Sequence, residues 1–281
     1  MFAVTGITGN VGGEVARSLL ASNRPVRAVV RDAGKAASWA SLGCEIAPAD
    51  IDDAAALSSA FTGAEAVFIM VPAVFDPAPG FPEAQSRAST LRSALETSRP
   101  EKVVYLSTIG AQSPRSNLLT QHSIIEQSLG NLLIPITFLR PAWFMENSRW
   151  DVAPARERGV MPSFLQPLDK PVPMVATADI GRVAAELLQD TWTGRRIIEL
   201  EGPDRVTPNH IASVFSTLLG RPVTAEIVPR ETWESLFLSQ GMKNPTPRIQ
   251  MLDGFNEGWI AFEGNTRKGK ITIEAALKTL L

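Results

Sequence analysis

The sequence predicts a doubly wound α/β fold, in which helices cover both faces of a parallel sheet, with a small mixed α/β cap at the C-terminal end. Three observations lead to this prediction. A glycine-rich loop lies between an apolar strand signal and an apolar helix signal near residue 6, strand-like and helical stretches then alternate, and proline-rich loops interrupt the alternation from about residue 145. Alternation of this kind is typical of parallel sheets, because a helix carries the chain back before the next parallel strand begins.

The elements of the first half follow from apolar runs and from helical spacing. Apolar runs predict strands over Phe2–Thr5, Val26–Val30, Glu45–Ala47, Ala66–Met70, Lys102–Ser107 and Ile136–Leu139. Helices are expected between them, near residues 11–21, 33–41, 53–61, 82–98 and 119–130. In the first helix, Val11, Val15 and Leu19 form the apolar stripe of an amphipathic helix.

The second half begins with proline-rich loops and then returns to the sheet. A helix over Asp179–Leu188 and a strand over Ile197–Leu200 are predicted to form the last layer of the same sheet. Thr207 and Pro208 then predict a helix start, because threonine caps a helix and proline fits its first turn.

The remaining elements are expected to build the cap. The helix that starts after Thr207 should stop at Gly220, a short strand should cover Val223–Val228, and another helix should end at Gly241. We therefore predict a sheet domain over residues 1–150, to which residues 177–201 return. The cap on the substrate side would consist of residues 151–176 and 202–281.

The glycine-rich loop carries the strongest functional signal. Glycines between a strand and a helix let the backbone turn tightly and approach a phosphate, and the helix N-terminus favours the negative charge. The sheet domain is therefore predicted to be a Rossmann-type NAD(P)-binding domain, with a plain tight turn as the alternative. The expected cofactor contacts in the loop are Gly6, Thr8, Gly9, Asn10, Val11 and Gly12.

The end of the second strand indicates which dinucleotide binds. An NAD site usually has a carboxylate about 20 residues after the glycines, whereas an NADP site has an arginine there. Arg31 comes first after the apolar run, and Lys35 follows one helical turn later. NADPH is therefore the expected cofactor. Asp32 keeps NADH as the less favoured alternative. In a further interpretation, Arg31 and Asp32 form only a solvated pair at the end of the strand and bind no cofactor.

Other residues at the carboxyl ends of strands are expected to face the cofactor or the substrate. Asp50 either contacts adenine or caps the next helix. Ser107 either binds a substrate carbonyl or forms a hydrogen bond with a backbone group at the end of its strand. Trp143 and Phe144 either wall a flat substrate or belong to the core. Val71, Pro72, Pro141 and Phe144 are further expected cofactor contacts, and Phe75, Trp143 and Phe144 are expected substrate contacts.

Composition excludes several classes of protein. With a net charge of −2 and no block of lysine and arginine, the chain has no electrostatic footprint for nucleic acid. No apolar run approaches the ~20 residues of a membrane span, and the strand signal at Phe2 leaves no room for a signal peptide. We therefore expect a cytoplasmic protein without a membrane segment, and no metal site. The sequence leaves a homodimer open.

Several segments together carry a family resemblance over essentially the whole chain. They are the glycines of Gly6–Gly12, the runs Leu139–Asn147 and Ala178–Ala184, Glu201-Gly202-Pro203 followed by Thr207, and Leu219–Val223. The chain resembles the atypical short-chain dehydrogenases/reductases of the NmrA-like group, and within it the bacterial NADPH:quinone oxidoreductases of type 2. This resemblance implies NADPH at the glycine loop and a small apolar substrate, a quinone, between the nicotinamide and the cap.

The chain departs from the superfamily at its catalytic pair. A tyrosine and a lysine, spaced Tyr-x-x-x-Lys, normally exchange a proton with the substrate. When the helix is aligned on Glu126, these positions hold Leu118 and His122, and the only tyrosine, Tyr105, lies inside a strand. Chemistry that needs the pair, such as alcohol oxidation, is therefore put in doubt.

Reduction of a quinone needs only a hydrogen-bond donor or water for the developing phenolate. His122 and Ser107 are the candidate donors, and His122 could instead hold the nicotinamide ribose or simply pack its helix. The proline-rich loop over 71–82, with Phe75, favours an apolar substrate wall. A small-molecule quinone reductase is thus favoured. A non-catalytic NAD(P)-sensing regulator and a reductase of another carbonyl or enone stay open.

Overall fold

An eight-stranded parallel sheet forms the centre of the computed structural model, which describes residues 1–281. The strands of the protein are β1 (Phe2–Thr5), β2 (Val26–Val30), β3 (Glu45–Pro48), β4 (Ala66–Ile69), β5 (Lys102–Leu106), β6 (Ile136–Pro141), β7 (Trp143–Phe144), β8 (Val160–Ser163), β9 (Val172–Val175), β10 (Arg195–Glu201), β11 (Arg205–Val206), β12 (Thr224–Ile227) and β13 (Arg267–Lys268). The sheet order is β3-β2-β1-β4-β5-β6-β10-β13.

The helices are α1 (Asn10–Ala21), α2 (Ala37–Ser41), α3 (Ala54–Phe61), α4 (Pro82–Ser98), α5 (Thr120–Leu129), α6 (Val152–Arg158), α7 (Thr177–Gln189), α8 (Pro208–Leu219), α9 (Trp233–Ser239), α10 (Thr246–Glu257) and α11 (Ile273–Lys278). Three 3-10 helices cover Ala33–Ala36, Met145–Asp151 and Arg230–Thr232. The stretch predicted as one helix over 33–41 is therefore a 3-10 turn that runs into α2. None of the helices combines the length and the apolarity that a membrane crossing requires.

The strand order confirms the predicted α/β fold class. The chain starts in the middle of the sheet at β1, winds outward through β2 and β3, and then crosses back to β4 and continues outward on the other side. The strand order therefore reverses between β1 and β4, and ligands of such folds bind in the crevice at the carboxyl ends of these strands. As predicted, α7 and β10 return to the sheet, where β10 pairs with β6.

Two hydrophobic cores lie on opposite faces of the sheet. Successive strand residues point to opposite faces, so Val4 and Phe68 pack under α1 and α7 while Ala3 and Val67 pack under α3, α4 and α5. This double burial explains why the strands read as continuous apolar runs. Helices α1 and α7 pack closely at Gly181, where an added Cβ would lie 2.5 Å from Glu14 Cβ.

A third core lies in the second half of the chain, around β7, β9, β11 and the helices α8, α10 and α11. The predicted helix start is confirmed, since Thr207 Oγ1 accepts a hydrogen bond from the backbone N–H of His210 (3.0 Å) and α8 begins at Pro208. The helix ends at Gly220, which has a φ of 64°. The predicted strand over Val223–Val228 is β12, which pairs in parallel with β8. The division of the chain into the two domains stays a prediction.

Candidate functional site

The three glycines of the first loop serve three different purposes. Gly6 has a φ of +65°, the left-handed conformation that glycine adopts without strain. A Cβ on Gly12 would lie 2.3 Å from the Gly6 carbonyl oxygen, so this glycine permits α1 to start directly against the loop. Gly9 is extended (φ −96°, ψ 176°) and precedes α1 as its N-cap. Any residue can adopt this extended conformation, so a glycine at this position matters only because it has no side chain.

The start of α1 is suited to an anion. No side chain caps the helix and no acidic residue lies in its first turn, so its N-terminal N–H groups and its positive dipole end face outward unopposed. Thr8, Gly9 and Asn10 are exposed, whereas Val11 is buried and anchors the helix in the core.

A cavity of about 370 Å³ opens beside this loop, between the carboxyl ends of β1, β2 and β4. It brings together six of the predicted cofactor residues, namely Gly6, Thr8, Arg31, Lys35, Asp50 and Pro72. Arg31 and Lys35 are exposed and form no ion pair with a carboxylate. The cavity therefore combines free positive charge with a loop that a phosphate can approach.

The acidic residues near the cavity are held by local turns. Asp32 accepts a hydrogen bond from the N–H of Gly34 (2.9 Å) and caps the 3-10 helix. Asp50 accepts from the N–H of Asp52 (3.1 Å). The N-cap of α3 is Asp53, whose carboxylate accepts from Ala55 and Ala56. Helix capping, the alternative role for Asp50, is therefore performed by Asp53.

Met70 is a residue of this site that the sequence did not indicate. It follows β4, and Thr5 Oγ1 accepts a hydrogen bond from its N–H (2.8 Å). Its methyl group lies against Gly6, where an added Cβ would be 2.3 Å from it. The side chain thus packs over the glycine loop from the neighbouring strand.

His122 lies on α5 at the edge of a second, very small pocket of about 10 Å³, which Val71, Pro72 and Gln121 also line. Pro72 lines both pockets, so it connects the side of the glycine loop with the side of His122. The imidazole Nδ1 is 2.9 Å from the hydroxyl of Tyr105. Burial lowers the pKa of His122 to about 4, although the nearby Glu126 carboxylate acts in the opposite direction. The side chain is therefore neutral at pH 7.

Ser107 belongs to a buried polar cluster around Glu126, which lies one helical turn after His122 on α5. Its hydroxyl donates to Glu126 Oε1 at 2.5 Å. Glu126 also binds Arg140 through two hydrogen bonds, of 2.9 and 2.7 Å, and the Arg140 side chain is only 4% exposed. Arg140 additionally reaches Glu263 at 2.9 Å. Because its proton is engaged by Glu126, the Ser107 hydroxyl is not free to donate to a substrate.

The three predicted substrate residues occupy different environments. Phe75 is 65% exposed, in the loop that follows β4. Trp143 and Phe144 are half-buried neighbours on β7. Trp143 packs edge-on against Phe255 of α10, with the ring centroids 5.1 Å apart, whereas Phe144 packs against the core beneath α1 and α7. Pro141 is buried at the end of β6.

The loop over 71–82 is attached to both neighbouring layers. The Asp76 carboxylate accepts hydrogen bonds from the backbone N–H groups of Lys243 (2.8 Å) and Asn244 (2.7 Å). Gln121 of α5 donates to the carbonyl of Val74 at 2.9 Å. The loop therefore bridges the sheet and the second half of the chain, directly beside His122.

A glycine loop between β1 and α1 and an open cavity at the reversal of the strand order define a protein of the Rossmann type. Residues 1–257 match the sequence profile of the NmrA-like family. The chain belongs to the NmrA-like family, which confirms the resemblance inferred from its motifs.

Named relatives cover most of this chain. It is 28% identical over 260 residues to the NAD(P)H azoreductase of Xenophilus azovorans, which covers 92% of this chain and 85% of the relative. It is 26% identical over 247 residues to quinone oxidoreductase 2 of Escherichia coli strain K12, with 86% and 82% covered. A crystal structure of an NADPH-dependent quinone oxidoreductase from Escherichia coli superposes with a TM-score of 0.80 at 23% identity, covering 100% of this chain and 99% of the other. At this identity, the superposition supports the fold alone.

Proposed function

We propose that this protein is an NADPH-dependent oxidoreductase that reduces a small quinone by hydride transfer. The observation that carries the proposal is the cavity beside the glycine loop, in which Arg31 and Lys35 present unpaired positive charge. A guanidinium holds a phosphate through two parallel hydrogen bonds, and an ammonium adds charge. The relatives named as a quinone oxidoreductase and an azoreductase support the coarser class of NAD(P)H-dependent oxidoreductase.

The cofactor would extend from this cavity along the carboxyl ends of the strands. In this proposal the glycine loop and the start of α1 hold the pyrophosphate, Arg31 and Lys35 hold the 2′-phosphate, and Asp50 contacts the adenosine half. Val71, Pro72, Pro141 and Phe144 would then border the nicotinamide half. The site fits such a group because the start of α1 has neither a side-chain cap nor an acidic residue in its first turn, and the exposed Arg31 and Lys35 line the adjoining cavity.

The acceptor would lie on the side of His122, against the apolar surface of Phe75, Trp143 and Phe144. When bound, the reduced cofactor supplies a hydride, and the acceptor takes its proton from water. As negative charge develops on the acceptor oxygen, a neutral imidazole N–H of His122 can stabilise it. Because the Ser107 hydroxyl already donates to Glu126, His122 is the preferred donor to the acceptor.

A steady-state assay of NADPH oxidation tests the proposal. We expect turnover with at least one benzoquinone or naphthoquinone, and no reduction of NADP⁺ by simple alcohols, because Leu118 cannot transfer a proton. The Arg31→Ala variant, purified in parallel, should lose most turnover at low NADPH concentration, which controls for contaminating reductases.

The other outcomes of the assay distinguish the alternatives. Turnover of azo dyes without turnover of quinones would point to the chemistry named for the azoreductase relative. Tight NADPH binding without turnover of any acceptor would contradict the reductase and favour a redox sensor, and cofactor-dependent capture of a protein partner would be the next measurement.

A further inference from the structure

A buried phenol lies directly beneath the candidate donor. Tyr105, on β5, has no exposed surface, and its ring packs edge-on against Phe138 with centroids 6.1 Å apart. Its hydroxyl is 2.9 Å from Nδ1 of His122, across two elements that are adjacent only in the folded chain. We propose that Tyr105 is a positioning residue, which fixes His122 in the neutral tautomer that carries its hydrogen on Nε2. This proposal rests on the proposed function, in which His122 faces the acceptor.

The direction of the hydrogen bond follows from the surroundings of the phenol. A buried O–H group without an acceptor is costly, whereas an oxygen with an unused lone pair costs less. His122 Nδ1 is the acceptor within reach of the Tyr105 hydroxyl. The phenol therefore donates, Nδ1 accepts, and the hydrogen of the neutral imidazole is placed on Nε2.

The charges around the pair keep both groups neutral. Burial, with a smaller contribution from the Glu126 carboxylate, raises the pKa of Tyr105 well above its usual value of 10. Glu126 faces His122 from its own helix, and Arg87 of α4 lines the same small pocket. Burial has the largest effect on the pKa of His122 and lowers it. Both side chains are therefore uncharged near neutral pH.

This arrangement limits what His122 can do. If His122 gave its Nε2 proton to the product, Nδ1 would have to take the proton of Tyr105, and a buried phenolate would form. The raised pKa of Tyr105 opposes that step. His122 therefore donates a hydrogen bond but no proton, and the site is suited to acceptors such as quinones, whose hydride step needs no enzyme acid. Carbonyls that must be protonated as they are reduced would be poor substrates.

The tautomer can be measured directly, since the chain has only two histidines. Nitrogen-15 NMR of labelled protein should show a protonated Nε2 and an unprotonated Nδ1 for His122 throughout the neutral pH range. His210 is the internal reference, because it is exposed and pairs with Glu274 instead (3.0 Å). In Tyr105→Phe, which keeps the ring and removes only the hydroxyl, the His122 signals should become those of mixed tautomers.

Kinetics provide a second, independent test. Tyr105→Phe should lower kcat for a quinone by roughly twofold, because about half of the imidazole would then present a nitrogen without hydrogen. KM for NADPH should stay unchanged. In a His122→Gln background, the same substitution should have no further effect on kcat.

Several results would overturn the proposal. A protonated Nδ1 in the wild type, or unchanged His122 signals in Tyr105→Phe, would show that the phenol does not set the tautomer. An equal loss of kcat in the His122→Gln background would show that Tyr105 acts through packing alone. The NMR measurement decides the matter even if no quinone is turned over, so a failure of the proposed function is distinguishable from a failure of this inference.

Discussion

Replacing Arg31 with alanine is expected to weaken NADPH binding and to leave NADH binding nearly unchanged. Arg31 is exposed at the end of β2, and it lines the cavity with Lys35 while pairing with no carboxylate. Its guanidinium is therefore available to the ribose 2′-phosphate, which NADH lacks. A charged hydrogen-bonding contact contributes about 1.5–3 kcal/mol, so Kd for NADPH should rise by roughly 10- to 150-fold.

Isothermal titration calorimetry with both cofactors measures this effect. Arg31→Lys should lie between wild type and Arg31→Ala, because lysine keeps the charge and loses the planar fork. Arg158→Ala is the matched control, since Arg158 is also an exposed arginine but lies in the last turn of α6. An equal loss of affinity for NADPH and NADH would refute the assignment of Arg31 to the 2′-phosphate.

Three further predictions concern one expected cofactor contact and two structural positions. Gly9→Val should abolish NADPH binding with little change in the melting temperature, because Gly9 is extended. Gly12→Ala should lower the free energy of unfolding by about 1–3 kcal/mol, because its Cβ would meet backbone at 2.3 Å. Normal NADPH binding by Gly9→Val in thermal-shift assays would place the cofactor elsewhere. Glu126→Gln should cost about 3 kcal/mol, since it leaves the buried Arg140 without its main carboxylate. In urea denaturation, the exposed pair of Glu96 with Arg92 is the control, and Glu96→Gln should cost less than about 0.5 kcal/mol. Equal losses would contradict the role of burial.

The elements of the first half could be predicted because each one buries apolar residues in a regular pattern. Strands β1 and β2 lie where the apolar runs placed them, and the other predicted strands differ by one or two residues at their ends. The elements that the sequence did not predict share one cause, which is a weak local sequence signal. Strand β13 consists of the exposed Arg267 and Lys268, and it exists because β10 offers an unpaired edge. Helix α10 has Pro245 as its N-cap and Pro247 as its second residue, and two prolines so close together give only a weak helix signal.

The cavity was predictable for a different reason. Strand ends of a parallel sheet meet at one edge, so the order of the strands alone brings Gly6, Arg31 and Asp50 together. The pairing of Tyr105 with His122, and of Arg140 with Glu126, depends instead on how α5 docks on the sheet. One signal was nevertheless present, because an arginine inside an apolar strand such as β6 requires a carboxylate partner. The i, i+4 spacing of His122 and Glu126 also places them on one face of a helix.

The two positions where the superfamily carries its proton relay have separate roles in this structure. Leu118 is buried in the turn before α5, and its N–H donates to the carbonyl of Pro247 at 2.8 Å, which joins α5 to α10. Burial keeps His122 neutral by lowering its pKa to about 4, and the Tyr105 hydroxyl contacts its Nδ1. The first position therefore serves packing, and in our proposal the second donates a hydrogen bond without transferring its proton. Oxidation of an alcohol requires a base for the hydroxyl proton, and neither residue provides one. Reduction of an acceptor that draws its proton from water requires only the donor, which is why we propose quinones as the substrates.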